Sequence, residues 1–189
     1  MKIILASGSP RRKEILEQFG YNFSVEVSDF CETAANGDPV IACLRFAKGK
    51  ALNVFLHKSK KERSDAVVIG ADTVVYFNGK ILGKPKDKTD AINTLKSLSG
   101  KTHSVITGFA VIGEKLSVFG YDQSEVEFNE LEESLIYKYV ETSKPMDKAG
   151  SYGVQDGFNI VRSVKGSVYN VIGFPIEKIK FVLDGITNK

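Results

Sequence analysis

Apolar residues occur along the chain both in short unbroken runs and at helical spacing, and these two patterns predict a mixture of strands and helices. Residues 2–6 are expected to form a strand, and a helix over 10–19 follows it. A longer helix is predicted over 39–57, because Asp38 is a favourable N-cap residue and Pro39 suits the first helical position. The run AVVIGADTVVYF is long, apolar and rich in β-branched residues, which indicates a central strand.

Glycine, proline, asparagine and aspartate divide the rest of the chain into further elements. Asn78-Gly79 is a hairpin turn signal, and the charged segment KSKKERSD is predicted to be a solvated loop. The other predicted elements are a strand over 22–27, a helix over 87–98, strands over 102–112 and 116–128, a helix over 131–142, two short strands on either side of Lys165-Gly166, and a helix that starts at Pro175. Strand–helix alternation combined with hairpins favours an α/β fold, a mixed twisted sheet flanked by helices, in a single domain over residues 1–189.

The composition is that of an ordinary globular protein, and it narrows the classes of partner. A net charge of +3 on 189 residues gives little reason to expect duplex nucleic acid, because proteins that bind it carry a much more basic face. Cys31 and Cys43 have neither metal-ligand spacing nor a disulfide framework, which favours a reducing, cytoplasmic setting. No window approaches the roughly 20 apolar residues of a membrane span, and no signal-peptide pattern is present, so we expect no membrane association.

The stretch LASGSPRRKEIL places three cations on the first turn of a predicted helix, where the partial positive charge of the helix N-terminus disfavours them. Ser9 can cap this helix, Pro10 can take its first position, and the small residues before them let a ligand approach closely. A bound polyanion would remove the conflict. Arg11 and Arg12 can grip phosphate oxygens while the free N–H groups of the helix end donate to them, so the stretch predicts a phosphate site.

The same cations have a simpler interpretation, in which they are solvated or pair with Glu14 and Glu17. The substitution Arg12→Ala separates the two interpretations. If the stretch binds phosphate, Arg12→Ala should weaken the binding of triphosphates. The helix should be equally or slightly more stable in this variant, because a cation has been removed from the positive end of the helix dipole. The stretch matches neither the Walker loop nor G-x-G-x-x-G, so those two phosphate-binding motifs are excluded.

Asp72 interrupts the apolar run GADTVV, and a carboxylate inside such a strand is costly to bury unless it is paired, protonated or metal-bound. This cost favours a catalytic or metal-site role. The alternative is an aspartate that caps or turns the strand. A phosphatase that forms an aspartyl phosphate would carry a second aspartate two positions later, where Val74 stands.

Four further polar residues are candidates because of their place in the sequence. LGKP follows the hairpin turn, which could fold Lys84 back beside Asp72, and Lys50 lies on the long predicted helix. Glu32 could supply a second carboxylate for Mg²⁺, which uses one or two carboxylates together with substrate phosphates. Gln155 in AGSYGVQ could read a base edge, because its amide both donates and accepts. Taken alone, Lys84, Lys50 and Glu32 are each compatible with an ordinary surface position, and AGSYGVQ is compatible with an ordinary glycine loop.

Taken together, these stretches resemble the Maf family of nucleoside triphosphate pyrophosphatases. The matching segments follow the family's order and span nearly the whole chain: LASGSPRRKEIL, SDFCET, AKGKA, VIGADTVV, LGKP, LSGKTHSVITG, KPMDKAGSYGVQ and NVIGFPI. The resemblance implies an elongated, two-lobed α/β fold of the Maf/ITPase-like kind with a central cleft. It also implies hydrolysis of nucleotides between the α and β phosphates with a divalent cation, Mg²⁺ being the expected ion, and a homodimer as the common assembly.

The resemblance also assigns roles, residue by residue. Asp72 matches the proposed general base of the family. The polar positions that line the phosphate cleft match Ser9, Arg12, Glu32, Lys50 and Lys84. Within this set, Glu32 is the expected metal ligand.

Three positions separate the subclasses of the family, and here they are Arg11, Thr73 and Gln155. These residues are those of the dTTP/UTP type, whereas the 7-methyl-GTP type tends to carry a glutamate at the third position. An arginine and a neutral amide suit a pyrimidine edge, and a glutamate could pair with a cationic methylated guanine. The chain departs from the usual pattern in two places: Cys31 replaces a frequent acid beside Glu32, and QDGFN replaces a more glycine-rich run.

The leading hypothesis is an enzyme that hydrolyses dTTP, UTP and, as a further candidate, CTP to the monophosphate and pyrophosphate, and so clears nucleotides from the pool. Two alternatives stay open: a pyrophosphatase for 7-methyl-GTP or another modified nucleotide, and a non-catalytic nucleotide-binding regulator of cell division. Asp72 discriminates between an enzyme and a binding module, because a carboxylate that faces the phosphates would weaken simple anion binding.

Overall fold

The computed structural model describes residues 1–32 and 37–187, which form a seven-stranded sheet with flanking helices. The strands are β1 (Lys2–Leu5), β2 (Phe23–Val25), β3 (Ala66–Phe77), β4 (Lys80–Leu82), β5 (Thr102–Gly113), β6 (Leu116–Phe128) and β7 (Val161–Lys165). The helices are α1 (Pro10–Gln18), α2 (Pro39–Leu56), α3 (Lys60–Arg63), α4 (Lys88–Leu98), α5 (Glu133–Thr142), α6 (Val168–Ile172) and α7 (Ile176–Thr187). Thr33, the last residue of the SDFCET segment, lies outside the described residues.

The sheet is mixed, which confirms the predicted fold class. Its strand order is β2-β1-β3-β5-β6-β7, with β4 paired to β3. Strand β1 runs parallel to β2 and β3, whereas β4 is antiparallel to β3 and β7 is antiparallel to β6. Helix α1 makes the crossover that a parallel β1–β2 pair requires, and a two-residue turn is enough for the antiparallel β3–β4 pair.

Contacts group the chain into two compact units, each assembled from distant segments. The first unit contains residues 1–72, 107–122 and 173–189, and the second contains 73–106 and 123–172. Strands β3, β5 and β6 therefore contribute residues to both units. The prediction of a single domain over residues 1–189 stays a prediction.

Each unit has an apolar core of its own. Small residues dominate the core between α2 and the strands of the first unit, which includes Ala47, Ala51, Val68 and Ala110. Larger side chains fill the core of the second unit, which includes Leu95, Leu98, Phe128, Ile136 and Tyr139. The difference matters for the site, because small side chains let the α2 backbone lie close to the sheet.

Local signals placed two elements correctly. The carboxylate of Asp38 caps α2 by accepting from the N–H groups of Val40 and Ile41, at 2.7 and 3.2 Å. Asn78 and Gly79 adopt positive φ angles of 47° and 77°, as a tight hairpin turn requires. Both signals act within a few residues, so the rest of the fold does little to change their outcome.

Two predicted elements are wrong. The segment KSKKERSD contains α3 instead of a plain loop, because Ser59 Oγ accepts from Glu62 N at 3.3 Å while the Glu62 carboxylate accepts from Ser59 N at 2.9 Å. This S-x-x-E capping box is a sequence signal that charge patterning hides. The second short strand predicted after β7 is helix α6. Its buried Asn170 donates to the Ser124 hydroxyl at 2.9 Å, and such tertiary bonds override the strand propensity of SVYNVI.

Candidate active site

Asp72 lies on the face of β3 that α2 covers, and only 8% of the residue is exposed. Because side chains alternate along a strand, Asp72 shares this face with Gly70. A Cβ at Gly70 would overlap the carbonyl oxygen of Ala47, so glycine is what allows α2 to pack this closely. The close packing brings Lys50 to Asp72, with 2.6 Å between Nζ and Oδ1.

Glu32 reaches the same ammonium group from the segment that follows β2. The ring of Phe30 lies directly on Gly49 of α2, where any Cβ would overlap it. This contact sets the SDFCE segment across the helix, and Glu32 Oε1 lies 2.7 Å from Lys50 Nζ. The side chain of Glu32 is 45% exposed, so its carboxylate is open to a ligand from solvent.

Burial raises the pKa of Asp72 above the ordinary value of an aspartate. Lys50 and Arg12 act in the opposite direction, because their positive charges stabilise the carboxylate, while Glu32 adds to the rise. The net direction is upward, since desolvation is the largest of these effects. Asp72 is therefore a stronger base than an exposed aspartate, and two cations keep its ionised form accessible.

Arg12 projects from the first turn of α1, and its side chain is half-buried. Its Nε donates to the carbonyl oxygen of Gly173 at 2.8 Å, and its Nη1 donates to the hydroxyl of Ser7 at 3.1 Å. Burial lowers the pKa of the guanidinium, and the negative charge of Asp72 opposes that shift. Arg12 thus forms part of the same electrostatic group as Asp72 and Lys50, and it also ties α1 to the segment before α7.

The other residues at the start of α1 were predicted either to form a phosphate site or to be ordinary surface residues. Pro10 takes the first helical position as predicted, and Arg11 is half-buried in the first turn. Ser9 stands at the N-cap position, but its side chain makes no capping hydrogen bond, so the predicted side-chain cap is wrong. Its backbone N–H instead donates to the Ser7 hydroxyl at 3.2 Å. Lys13 lies 3.6 Å from Glu17, which is the surface pairing that the simpler interpretation expects.

Three predicted residues belong to the second unit. Thr73 follows Asp72 along β3, so strand alternation directs its side chain to the opposite face. The β3–β4 ladder ends at Leu82, and a continuation of its register would place Lys84 across from Thr73. Lys84 and Gln155 are exposed, and Gln155 lies on the turn that begins at Gly153.

Sequence reasoning missed Ser7 and Gly173 as partners of Arg12. Ser7 is nearly buried at 8% exposure, yet in the sequence it looks only like a small residue beside a helix start. Gly173 contributes a backbone carbonyl from 161 residues further along the chain, and no side-chain pattern identifies such an acceptor. A useful signal was available for Ser7: a hydroxyl directly after an apolar strand is a ready partner for a nearby arginine.

Glu32 and Asp72 fit the ligand set that Mg²⁺ uses. Both carboxylates lie within 2.7 Å of one Lys50 ammonium, so two anionic groups converge on a single cation position. Over residues 1–32 and 37–187, no group of three or more His, Cys, Asp and Glu side chains forms a metal cluster. A site of two carboxylates is typical for Mg²⁺ when substrate phosphates and water complete the coordination.

The chain belongs to the Maf-like protein family, whose sequence profile matches residues 2–186. Relatives share close to half of their residues with it over nearly their whole length. A protein of Aquifex aeolicus is 46% identical over 97% of this chain and 94% of its own. A protein of Thermococcus kodakarensis is 46% identical over 94% and 93% of the two chains, and one of Bacillus anthracis is 46% identical over 94% and 92%. All three are named dTTP/UTP pyrophosphatase, and the predicted family membership is confirmed.

Proposed function

We propose that the protein hydrolyses nucleoside triphosphates between the α and β phosphates and releases a nucleoside monophosphate and pyrophosphate. The observation that carries the proposal is the buried Asp72 carboxylate, held at 2.6 Å by Lys50 and stabilised by Arg12. A site that only bound phosphate would be weakened by such a carboxylate, whereas hydrolysis needs a base there. The activity agrees with the names of the relatives.

In this proposal Asp72 accepts a proton from the water that attacks the α-phosphorus. Its Oδ1 accepts a hydrogen bond from Lys50, so we assign the proton acceptor to Oδ2. Arg12 and Lys50 stabilise the negative charge that builds up on the phosphoryl oxygens, and the amide groups at the start of α1 add donors there. Ser9 and Lys84 are kept as proposed phosphate-binding residues because they match the polar positions that the resemblance assigns to that role. Catalysis then depends mainly on positioning and electrostatics, as is usual for phosphoryl chemistry.

Glu32, whose carboxylate shares the Lys50 ammonium with that of Asp72, is the residue that would hold a divalent cation, with Mg²⁺ as the expected ion. A bound cation would supply positive charge against the phosphates of the substrate. Lys50 connects the two carboxylates through its single ammonium group. It therefore keeps them close together without a ligand and limits their mutual repulsion.

We expect Lys50→Met to move the acidic limb of the pH profile of kcat/KM to higher pH. Lys50 lowers the pKa of Asp72, so its removal raises that pKa further, and the ionised base is lost earlier as the pH falls. The matched control is Lys48→Met on the same helix, because the Lys48 ammonium lies over the Phe119 ring at 4.9 Å instead of on a carboxylate of the site. A limb that stays in place in Lys50→Met would show that the titrating base is a different group.

The proposed substrates are dTTP and UTP, with CTP as a further candidate, and Arg11, Thr73 and Gln155 are the proposed base-reading residues. Relatives that are about 46% identical carry the name dTTP/UTP pyrophosphatase, which supports a pyrimidine substrate. Gln155 is exposed and offers both a donor and an acceptor. A site built around such an amide penalises a base that leaves it unpaired.

The substrate proposal predicts that Gln155→Glu lowers the ratio of kcat/KM for UTP to that for 7-methyl-GTP by roughly 5- to 100-fold, because a carboxylate can accept but cannot donate to the base. Gln123→Glu is the matched control, since Gln123 is an exposed glutamine of the second unit that bonds to Ser104. The parent ratio is expected to be far above one. A parent ratio below one would contradict the pyrimidine assignment and leave the pyrophosphatase reaction intact.

The cellular setting and the assembly form the last part of the proposal. Among the helices of residues 1–32 and 37–187, none has the length and apolar character needed to cross a membrane. The free Cys31 and Cys43 favour a reducing, cytoplasmic setting. A homodimer is expected from the resemblance, and light scattering of the purified chain measures it directly.

A further inference from the structure

Gln155 lies on a four-residue turn, Gly153 to Asp156, whose first and last residues are both bound by the hydroxyl of Tyr139. The backbone N–H of Asp156 donates to the carbonyl oxygen of Gly153 at 3.2 Å, which closes the turn around Gln155. The hydroxyl of Tyr139 accepts from the N–H of Gly153 at 2.9 Å and donates to Asp156 Oδ2. One hydroxyl therefore fixes the first and the last residue of the four-residue turn.

Lys148 also holds the turn, because it forms an ion pair with Asp156. Its ammonium lies 3.0 Å from Asp156 Oδ2 and donates to the carbonyl oxygens of Ser143 and Lys144, at 2.5 and 3.2 Å. The side chain of Lys148 is 8% exposed and that of Asp156 is 13% exposed, so the ion pair is largely shielded from solvent. Separating a shielded pair leaves a poorly solvated charge without its partner, so Lys148 and Asp156 resist separation.

The packing around Asp156 leaves little room for other conformations. A Cβ at Gly153 would come within 2.7 Å of Asp156 Oδ1, so the carboxylate fills the space that the glycine leaves. The ring of Phe158 packs edge-on against Tyr139, with 5.1 Å between the ring centroids. Burial and the bond to Asp156 raise the pKa of Tyr139, so the hydroxyl stays protonated and continues to donate.

We infer that Tyr139, Lys148 and Asp156, here called the Asp156 clamp, are positioning residues that fix Gln155 for recognition of the base. The inference rests on the proposed function, in which Gln155 reads a pyrimidine edge. The turn begins at Gly153 and is followed directly by Gly157. The clamp supplies through side-chain contacts an order that the turn would otherwise lack, because glycine lets a backbone move freely.

Positioning matters here because the side chain of Gln155 is exposed. An exposed glutamine on a mobile turn would discriminate poorly between bases. Its amide could reorient to suit each base, and the entropic cost of ordering it would be similar for all of them. A fixed turn presents one donor and one acceptor in one geometry. The clamp should therefore affect the choice between nucleotides and the KM for the favoured one, with little effect on kcat.

The test measures kcat and KM for UTP and GTP in Asp156→Ala, Asp156→Asn and Tyr139→Phe. We expect Asp156→Ala and Tyr139→Phe to lower the UTP-to-GTP ratio of kcat/KM by about 10-fold, mainly through a higher KM for UTP. Asp156→Asn keeps an acceptor for Tyr139 and should retain most of the ratio. Tyr137→Phe on the same helix is the matched control, because Tyr137 is 49% exposed and lies outside the clamp.

The same substitutions are then made in a Gln155→Ala background. If the clamp acts through Gln155, Asp156→Ala should change the ratio by less than about twofold there, because coupled residues do not have additive effects. A purely structural role would instead lower the melting temperature and the activity toward both nucleotides equally, with the ratio unchanged. Tyr139→Phe is a small change, so it reports on the clamp even where Asp156→Ala does not fold, and Asp156→Asn serves as the conservative variant that should restore the ratio.

Two results would overturn the inference while the proposed base reading stands. One is an unchanged ratio in Tyr139→Phe and Asp156→Ala together with a lowered ratio in Gln155→Ala. The other is an equal drop in the ratio with and without Gln155. An unchanged ratio in Gln155→Ala alone would remove the base-reading role, and the inference would fail with it.

Discussion

Turnover of UTP should fall by roughly 10²- to 10⁴-fold in Asp72→Asn, the usual contribution of a general base. Asparagine keeps the size of the side chain and can still accept from Lys50, whose Nζ lies 2.6 Å from the Asp72 oxygen. It cannot take a proton from water. Binding of the nucleotide should persist, because the cations around position 72 no longer face a negative charge.

The control for this loss is Asp122→Asn in the same unit. Asp122 forms an ion pair with Lys178 at 2.7 Å, so its substitution removes a comparable contact away from the proposed chemistry. Steady-state kinetics with a pyrophosphate readout and calorimetric binding of UTP separate turnover from affinity. Near-normal turnover in Asp72→Asn would exclude Asp72 as the base.

Arg12→Ala should weaken the binding of UTP by about 10- to 150-fold while binding of uridine changes little, because a charge-assisted hydrogen bond contributes roughly 1.5–3 kcal/mol. The structure also changes the expectation for stability. Arg12 donates to Gly173 and to Ser7, so its removal leaves two partly buried acceptors without that donor. The free energy of unfolding should fall by about 1–3 kcal/mol, although a cation leaves the positive end of α1.

Arg45→Ala is the matched control for Arg12→Ala. Arg45 is an exposed arginine of the first unit whose guanidinium lies 4.9 Å from the centre of the Phe46 ring. Its loss should leave the affinity for UTP unchanged, because Arg45 is not one of the proposed phosphate-binding residues. A loss of stability in Arg12→Ala with unaltered UTP affinity would assign Arg12 to the fold and not to the phosphates.

The parts of the fold that the sequence predicted well depend on local chemistry. Asp38 caps α2 and Asn78-Gly79 makes its turn because each needs only its immediate neighbours. The two wrong elements have different causes. Helix α3 was not predicted because its capping box lies inside a charged run that resembles a loop. Helix α6 forms because Asn170 donates hydrogen bonds to residues of β5 and β6, which are distant in the sequence.

The candidate site shows the same division. Asp72 could be predicted as a site residue because burying a carboxylate in an apolar strand is costly unless the carboxylate has a partner or a function. The contacts that join Lys50 to Asp72 and to Glu32 could not be predicted from sequence spacing. They depend on the close packing of backbone and side chains at Gly70 and Gly49. These two glycines sit inside the segments VIGADTVV and AKGKA, so a glycine inside an apolar strand or a helix next to a charged candidate is the signal to look for.

The proposed reaction depends on attack of water at the α-phosphorus of the nucleotide. Hydrolysis of UTP in water enriched in oxygen-18, followed by mass spectrometry of both products, tests it most directly. UMP should carry the label, and pyrophosphate should be unlabelled. Label in pyrophosphate, or release of orthophosphate with UDP, would contradict it.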